Sequence, residues 1–352
     1  MPVVWSERHR GHATDGGYWL GVRLPGDEEP ERGDALRDAL LAAGANVTEP
    51  NDHGDAPVLA VHRPEFVDFL ARVHDDWRAA GYATDPGQPL VVPYVFALAQ
   101  LTSGRPPRRA ASVHADVGRF AMDTMTLIGP GTYDAARAAV DCALTAADLV
   151  LDGARGAYAA VRPPGHHVGA DFYGGSCYLN NAACAAQYLR DRGVDRVAVI
   201  DVDAHHGNGT QEIFYDRADV LYGSAHVDPG AGWFPHFVGF ADERGANAGE
   251  GANRNLPLAP GTGDAEWLAA IDTLATEAVA HGADALVVSL GVDAATEDPE
   301  SPLAISAAGF AAAGARLAAA DLPTVFVQEG GYHPGTFGGL VLSFLGGFED
   351  GA

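Results

Sequence analysis

From about Gly153 onward, the chain alternates short runs of β-branched and apolar residues with longer alanine-rich segments. Five runs have the composition of buried strands: Tyr158–Val161, Arg196–Asp201, Val220–His226, Ala285–Leu290 and Thr324–Gln328. Helical composition is found in the segments Tyr133–Leu151, Asn181–Arg190, Ala265–Ala280 and Ser306–Ala319. Strands this apolar that alternate with helices are typical of a parallel sheet covered on both faces. The sequence therefore predicts an α/β fold.

The sequence also indicates where helices begin and end, how many domains to expect and where one long loop lies. Thr132 and Ser306 are predicted N-caps, and Gly153 and Gly282 are predicted C-terminal stops. Neither an internal repeat nor a low-complexity linker is evident, which predicts a single domain over residues 1–352. The segment 83–109 is rich in Pro, Gly and Arg and is longer than an ordinary connection, so we expect a functional or interface loop there.

Charge and composition exclude several classes of protein. The 47 acidic and 22 basic residues give a net charge of −25, and every basic side chain is arginine. Phosphate backbones would be repelled, so we expect no nucleic acid partner. No apolar run reaches the roughly 18 residues of a membrane span, and the N-terminus lacks the pattern of a signal peptide. Three cysteines outside any CxxC motif are typical of buried thiols, and we expect a cytoplasmic protein.

Polar and unusual residues follow each predicted strand. They are RPPGHH (162–167), VDAHHGN (202–208), AH (225–226, after Val220–Ser224 at the end of its strand), GVD (291–293) and EGGY (329–332). The carboxyl ends of parallel strands meet at one edge of a sheet, and ligands bind there in open α/β folds. We therefore expect these His, Asp and Tyr side chains to converge on one site.

Asp203, His205 and Asp293 are predicted metal ligands. Asp203 and His205 are two residues apart, so in an extended segment their side chains point the same way. Two carboxylates and one imidazole with open coordination positions suit catalytic Zn²⁺, and Fe²⁺ is also compatible. The positions two residues from His205 and from Asp293 carry no further carboxylate, which favours one metal ion over two. The alternative interpretation is that Asp203 and His205 only cap the next helix.

The tandem histidines and one tyrosine are predicted catalytic groups. An Asp201 partner would favour the imidazolium form of His166, whereas an uncharged Asn208 partner would leave His167 neutral and able to act as a base. Tyr332, after two glycines, can donate its hydroxyl to a developing oxyanion. The alternatives are structural core histidines and a tyrosine used only for packing.

Several motifs resemble the zinc-dependent histone deacetylase superfamily, and more closely its acetylpolyamine amidohydrolase branch. The matching segments are Glu29–Arg32, Arg162–His167, Gly174–Asn181, Asp201–Gln211, Ser289–Asp293 and Gln328–Tyr332. The resemblance covers the chain from about Glu29 to its end. It implies the arginase–deacetylase fold, a single α/β domain around an eight-stranded parallel sheet flanked by helices.

The resemblance also implies roles for individual residues. It implies that the zinc ligands are Asp203, His205 and Asp293. His167 matches the general base and acid, His166 its electrostatic partner, and Tyr332 the tyrosine that polarises the scissile carbonyl. A structural potassium ion is implied beside the zinc, with ligands matching Asp201, Asp203, His205 and Ser224.

Substrate contacts and assembly are implied in the same way. Glu300 lies seven residues after Asp293, the offset of a gatekeeper glutamate that meets a cationic amine in polyamine-selective members. The alternative for Glu300 is a solvated loop charge. The segment 83–109 corresponds to the branch's long loop, which shapes the site at a dimer interface, so a homodimer is implied. Asp116 is a further candidate for a carboxylate at the tunnel mouth.

One position departs from the family's pattern. Ser176 occupies the place of an aromatic residue that normally walls the substrate tunnel. Trp233 and Phe234 match the opposite aromatic wall, although Pro229–Trp233 is one residue longer than usual. Either the indole of Trp233 refills the gap, or the pocket accepts an acyl group or amine bulkier than acetylated putrescine.

The leading hypothesis is a zinc amidohydrolase that deacetylates small cationic N-acetylated amines, polyamines first. One alternative is a deacylase acting on acetyl-lysine proteins or on a bulkier acylated secondary metabolite. A second is an inactive homologue that only binds acylated amines, which the intact metal and catalytic residues disfavour. A third, a binuclear ureohydrolase, is disfavoured by the missing further carboxylates.

Overall fold

The computed structural model describes residues 1–351 of the chain. Its strands are β1 Val3–Val4, β2 Gly17–Trp19, β3 Val22–Leu24, β4 Val47–Thr48, β5 Gly156–Ala159, β6 Val197–Asp201, β7 Val220–Val227, β8 Asn253–Leu258, β9 Ala285–Leu290 and β10 Thr324–Gln328. Its α-helices are α1 Pro30–Ala42, α2 Ala56–Leu59, α3 Pro64–Ala79, α4 Ala99–Thr102, α5 Val113–Asp116, α6 Thr132–Leu151, α7 Asn181–Asp191, α8 Asn208–Phe214, α9 Asp264–His281, α10 Ala307–Ala318 and α11 Phe337–Asp350.

Eight strands form one sheet in the order β4-β1-β5-β10-β9-β6-β7-β8, and every pair in it is parallel. Successive strand residues point to opposite faces, so Val197 and Val199 pack with α3, α6 and α7 while Ala198 and Ile200 pack with α1, α9, α10 and α11. The predicted eight-stranded parallel sheet flanked by helices is confirmed. β2 and β3 form a separate antiparallel hairpin.

The predicted elements lie close to their observed bounds. The strands Ala285–Leu290 and Thr324–Gln328 are as predicted, and the first predicted strand begins two residues earlier, at Gly156. Ser306 caps α10 by accepting a hydrogen bond from the backbone N–H of Gly309 at 3.1 Å. The prediction of Thr132 as an N-cap is wrong, because α6 already begins there and the Thr132 hydroxyl accepts from the N–H of Gly129 instead.

Three strands of the main sheet were not predicted, and each lacks the run of apolar residues that indicates a buried strand. β1 and β4 have only two residues each. β8 carries the buried side chains of Asn253 and Asn255, whose amides donate to the side-chain carbonyl of Gln211 at 3.0 and 2.8 Å. These strands follow from tertiary pairing rather than from local composition.

The strand register determines where the polar residues gather. Asp201, the last residue of β6, pairs with Ser224 of β7 on one side and Ser289 of β9 on the other. The segments that leave β5, β6, β9 and β10 therefore begin at the same edge of the sheet. Within residues 1–351, no helix combines the length and the apolar character needed to traverse a bilayer.

Candidate active site

The three predicted metal ligands lie together at this edge. One ligand atom of each of Asp203, His205 and Asp293 lies within 4.8 Å of the others, and all three residues are buried. His205 Nδ1 is 2.9 Å from Asp293 Oδ2 and 3.5 Å from Asp203 Oδ1. Asp203 and His205 follow β6, and Asp293 follows the neighbouring β9. The geometry is that of a compact O,N,O donor set that could hold one metal ion.

Glycines and backbone donors fix the two carboxylates. A Cβ on Gly291 would lie 2.0 Å from Asp203 Oδ2, and one on Gly330 would lie 2.5 Å from Asp293 Oδ2, so these positions require glycine. The N–H of Gly330 donates to Asp203 Oδ2 at 2.8 Å, and the N–H of Ala204 donates to Asp293 Oδ1 at 2.9 Å. Each carboxylate is therefore oriented independently of any ion.

The electrostatics of the donor set favour a cation. Burial by itself lowers the pKa of His205, but the two adjacent carboxylates outweigh it and raise that pKa well above its usual value. Burial and the charge of Asp203 raise the pKa of Asp293 to about 7. A proton on His205 offsets one of the two buried carboxylate charges, and a divalent ion would offset both.

The tandem histidines have the two partners that the sequence suggested. His166 Nδ1 is 3.0 Å from Asp201 Oδ2, and His167 Nδ1 is 2.8 Å from Asn208 Oδ1. Burial opposes a charge on His166, yet the carboxylates of Asp203 and Asp201 raise its pKa to about 10. Burial and the neighbouring positive charge of His166 lower the pKa of His167 well below its usual value. At neutral pH, His166 is charged and His167 is neutral.

Glu329 supports the histidine turn, a role that no sequence motif indicated. Its Oε2 accepts hydrogen bonds from the N–H groups of Gly165 at 2.7 Å and His166 at 3.1 Å. Its Oε1 accepts from the hydroxyl of Ser289 at 3.2 Å. Burial raises the pKa of Glu329 to about 7. The only sequence signal was a glutamate at the end of an apolar strand, directly before two glycines.

The loop that carries Tyr332 is held from two sides. Asp298 Oδ2 accepts from the N–H of Tyr332 at 2.6 Å and from the N–H of His333 at 3.2 Å. The Arg32 guanidinium lies 5.1 Å from the Tyr332 ring centroid and donates to the carbonyl of Gly331. Burial raises the pKa of the Tyr332 hydroxyl well above its usual value, so this group remains a hydrogen-bond donor. Asp298 and Arg32 are positioning residues that the sequence analysis missed.

Glu300 is solvent-exposed and lies on the loop after Asp293. Its N–H donates to Asp298 Oδ1 at 3.0 Å, so the same carboxylate anchors Glu300 and Tyr332. Desolvation raises the pKa of Glu300; the charge of His205 opposes this effect, and that of Asp27 adds to it. Glu300 therefore lies on an exposed loop that shares the Asp298 anchor with the catalytic loop of Tyr332.

Two segments contact the ring of His167. The Phe234 ring lies edge-on to it with 4.8 Å between centroids. A Cβ on Gly175 would lie 2.3 Å from His167 Cδ2, so this glycine packs directly against the imidazole. Ser176 follows, and its N–H donates to the hydroxyl of Thr126 at 2.9 Å. The indole of Trp233 packs against the apolar core that contains Ile200 and Ala198, so Phe234 is the aromatic residue that reaches His167.

The structure does not bring Asp116 to this cluster. Its Oδ1 accepts from Arg119 Nη1 at 3.1 Å and from the N–H of Ala110 at 3.3 Å, and Arg109 lies 3.8 Å from its Oδ2. It lines a different cavity, of about 580 Å³, together with Arg72. Its carboxylate is paired with two arginines, Arg119 and Arg109. No sequence motif indicated this pairing.

Asp201 and Ser224, two of the implied potassium ligands, lie opposite each other on the paired strands β6 and β7. Asp201 Oδ2 accepts from the Tyr222 hydroxyl at 3.1 Å, and its Oδ1 accepts from the N–H of Asp203 at 3.2 Å. The Ser224 hydroxyl is 2.8 Å from Nδ1 of His226.

Both the sequence and the fold of the chain match known proteins. Residues 27–347 match the family model of the histone deacetylase domain. The chain is 41% identical to acetylpolyamine amidohydrolase 1 of Pseudomonas aeruginosa over 100% of both chains. It is 45% identical to the acetylpolyamine amidohydrolase of Burkholderia pseudomallei over 93% of this chain and 92% of that protein. A crystal structure of acetylpolyamine aminohydrolase from Burkholderia pseudomallei superposes with a TM-score of 0.93 at 42% identity, covering 99% of this chain and 98% of that one.

Proposed function

Because the chain belongs to the histone deacetylase family, we propose that it is a metal-dependent amidohydrolase that deacetylates small N-acetylated amines, with acetylpolyamines as the first substrate class. The observation that carries the proposal is the convergence of a buried O,N,O donor set with one charged and one neutral histidine. The relatives that share the whole length of the chain are named for the same substrate class.

Asp203, His205 and Asp293 are the proposed ligands of a Zn²⁺ ion, with Fe²⁺ as a compatible alternative. The donor set fits such an ion because it is buried, carries two fixed carboxylates and already attracts a proton to His205. When bound, the ion supplies Lewis acidity toward the amide carbonyl and acidifies the attacking water. A potassium ion held by Asp201 and Ser224 is part of the same proposal.

His167 is the proposed general base. Since its Nδ1 contacts the Asn208 carbonyl oxygen at 2.8 Å, Nδ1 carries the proton and Nε2 keeps its lone pair. The depressed pKa of His167 keeps that lone pair free at neutral pH. Nε2 then takes the proton of the attacking water and delivers it to the leaving amine nitrogen.

His166 and Tyr332 act on charge that develops during the reaction. His166 is held as a cation by Asp201 at 3.0 Å and disfavours a second lasting charge on the adjacent His167, whose ring is 4.0 Å away. That repulsion drives the proton from His167 toward the amine. The protonated hydroxyl of Tyr332 donates a hydrogen bond to the carbonyl oxygen as it becomes negative.

Exposed carboxylates explain a preference for cationic amines. Glu300 at the rim offers a counter-charge for a second ammonium group of a polyamine, and the net charge of −25 attracts cations from solution. Its exposure limits this contribution, because solvent and salt screen such a pair.

A cytoplasmic homodimer completes the proposal. The segment 83–109 exposes Tyr94, Leu98 and Leu101, and the nearby β2–β3 hairpin exposes Trp19 and Leu20. Exposed apolar side chains concentrated in this way are typical of a protein interface. Sedimentation analysis should give twice the chain mass of 36.5 kDa. A monomer at micromolar concentration would contradict this part.

The substrate class is tested with a panel of acetylated compounds. Zinc-loaded protein should hydrolyse acetylputrescine and acetylspermidine faster than acetyl-lysine peptides, as measured by release of acetate. Chelator-treated protein and the Tyr332→Phe variant serve as controls for metal dependence and for contaminating hydrolases. Absence of turnover of every acetylpolyamine would overturn the proposed substrate class.

Ser176 favours a second candidate, a deacylase of bulkier acylated amines. Phe234 contacts His167 from one segment, whereas the Gly175–Ser176 segment presents no aromatic ring. Under this alternative, branched or aromatic amides are preferred to acetylputrescine, and Ser176→Phe reverses the order. Unchanged ratios of kcat/KM in Ser176→Phe would remove the alternative.

A further inference from the structure

A second cluster of metal-ligating side chains lies outside the site described above. We propose that Glu7, His9 and Asp34 form an accessory site for a divalent ion of the Zn²⁺ class. Glu7 and His9 lie on the 3-10 turn Glu7–Gly11, and Asp34 lies on α1. One ligand atom of each lies within 4.8 Å of the other two.

His9 provides the second observation that points to a ligand. It is only 2% exposed, yet neither of its ring nitrogens has a hydrogen-bond partner among residues 1–351. Buried polar atoms in native proteins nearly always have partners, and an ion is one of the explanations for an exception. His9 Nε2 points toward the cluster, 3.5 Å from Asp34 Oδ1.

Packing holds the imidazole in this orientation. The Trp5 ring lies 4.5 Å from it, and a Cβ on Gly33 would lie 2.8 Å from Nδ1, so Nδ1 faces the backbone of α1. Burial and the charges of Arg162 and Arg10 lower the pKa of His9 to about 4. The imidazole is therefore neutral at physiological pH, the form that binds metals.

Two arginines neutralise the carboxylates when no ion is bound. Arg10 Nη2 is 2.6 Å from Asp34 Oδ1, and Arg37 Nη1 is 2.8 Å from Glu7 Oε1. Such pairs contribute little when solvent reaches them, and the Arg10 side chain is 48% exposed. In this proposal the ion displaces the exposed Arg10 from Asp34 and competes for Glu7 with Arg37, which is 21% exposed and also pairs with Asp38. Two negative charges and a neutral imidazole are then available to a divalent ion.

An ion at this site would stabilise α1, the helix that supports the loop of Tyr332. α1 also carries Arg32, which donates to the carbonyl groups of Gly331 and Glu329. The carbonyl of His9 accepts from Arg162 Nη1 at 2.8 Å. An ion that joins the turn to α1 would therefore stiffen the support of the catalytic loop without contacting substrate.

Metal-free protein titrated with Zn²⁺ against a chromophoric chelator tests the proposal. Wild type should bind two equivalents. His9→Phe and Asp34→Asn should each bind one, whereas Asp38→Asn, a matched carboxylate change on the same helix, should bind two. Asp203→Ala should lose the catalytic equivalent and keep the accessory one. Arg10→Gln should tighten the accessory site several-fold, because it removes the competitor for Asp34.

A purely structural ion-pair cluster gives different results. One equivalent in wild type, or two equivalents retained in folded Asp34→Asn, would overturn the proposal. Should His9→Phe fail to fold by circular dichroism, Asp34→Asn and Arg10→Gln decide the outcome. An accessory equivalent unaffected by Arg10→Gln would refute the proposed competition and with it the assigned ligand Asp34.

Discussion

The described part of the chain, residues 1–351, contains two clusters with nearly the same donor chemistry in opposite settings. Asp203, His205 and Asp293 are buried, and backbone N–H groups orient both carboxylates. In the cluster of Glu7, His9 and Asp34, only the imidazole is buried, and arginines hold the carboxylates. The difference teaches that ligand identity alone does not make a catalytic centre. The first cluster is preorganised and lies beside the histidines His166 and His167. In the second cluster, arginines compete with an ion for the carboxylates.

Removing a ligand from the first cluster should have the largest effect. In Asp203→Ala, a buried carboxylate and its hydrogen bond from Gly330 disappear, so zinc binding at this cluster should be lost. Deacetylase activity should fall by ~10³-fold or more, since nucleophile activation and carbonyl polarisation fail together. Metal analysis and acetate release check the two effects. A full catalytic equivalent of zinc in Asp203→Ala would show that the ligand assignment is wrong.

The glycine beside Asp203 tests preorganisation directly. In Gly291→Ala, the new Cβ would lie 2.0 Å from Asp203 Oδ2 and must displace the ligand. We expect zinc affinity to fall about 10- to 100-fold, the scale seen when the support of a ligand is disturbed. Gly339→Ala is a matched control, because no atom of the residues that the structure describes lies within 4 Å of a Cβ there. Equal zinc affinities in the two variants would contradict a steric requirement at Gly291.

Tyr332→Phe separates metal binding from catalysis. The change removes one hydroxyl and leaves all three ligands in place, so the zinc content should stay the same. Turnover should fall by ~10²-fold, the scale of losing one oxyanion donor. Near-normal kcat in zinc-loaded Tyr332→Phe would exclude the proposed role of the hydroxyl.

Asn208→Asp should move the pH profile. The pKa of His167 is depressed by burial and by His166, so the base is neutral well below pH 6.5 and the acid limb of kcat/KM lies at low pH. A carboxylate 2.8 Å from Nδ1 favours the imidazolium and should raise this pKa. The acid limb should then shift to higher pH, because protonated His167 cannot accept a proton. Asn208→Ala, which adds no charge, should show no upward shift of this kind, and a shift equal in both variants would contradict the electrostatic explanation.

The sequence predicted the first cluster because its residues follow apolar strands whose ends must meet. Asp203, His205 and Asp293 are linked by sheet topology, and topology is readable from strand composition. The residues that hold Tyr332 were not readable in this way. Asp298 acts through backbone N–H groups 34 and 35 residues away, and Arg32 acts across 299 residues.

The N-terminal third shows the same limit for the fold. β1 and β4 have two residues each; β1 pairs with the edge of β5, and β4 pairs in turn with β1. The hairpin of β2 and β3 is exposed on most of its residues, so it has no apolar periodicity to detect. Asp116 shows the same limit, since its position in the sequence beside the segment 83–109 did not reveal its pairing with Arg119, and its role at the tunnel mouth stays a prediction.

Glu300→Gln should have the smallest effect, because Glu300, like Glu7 of the second cluster, is exposed to solvent. A partly screened pair between Glu300 and a substrate ammonium contributes about 0.5–1 kcal/mol, which corresponds to about a 2- to 5-fold loss of kcat/KM for acetylspermidine. A neutral N-alkylacetamide should be hydrolysed equally well by both proteins, since it offers no charge to Glu300. The difference between the two substrates should shrink in high salt, because exposed pairs are screened. Equal losses on charged and neutral substrates would instead assign Glu300 a role in holding the loop through Asp298.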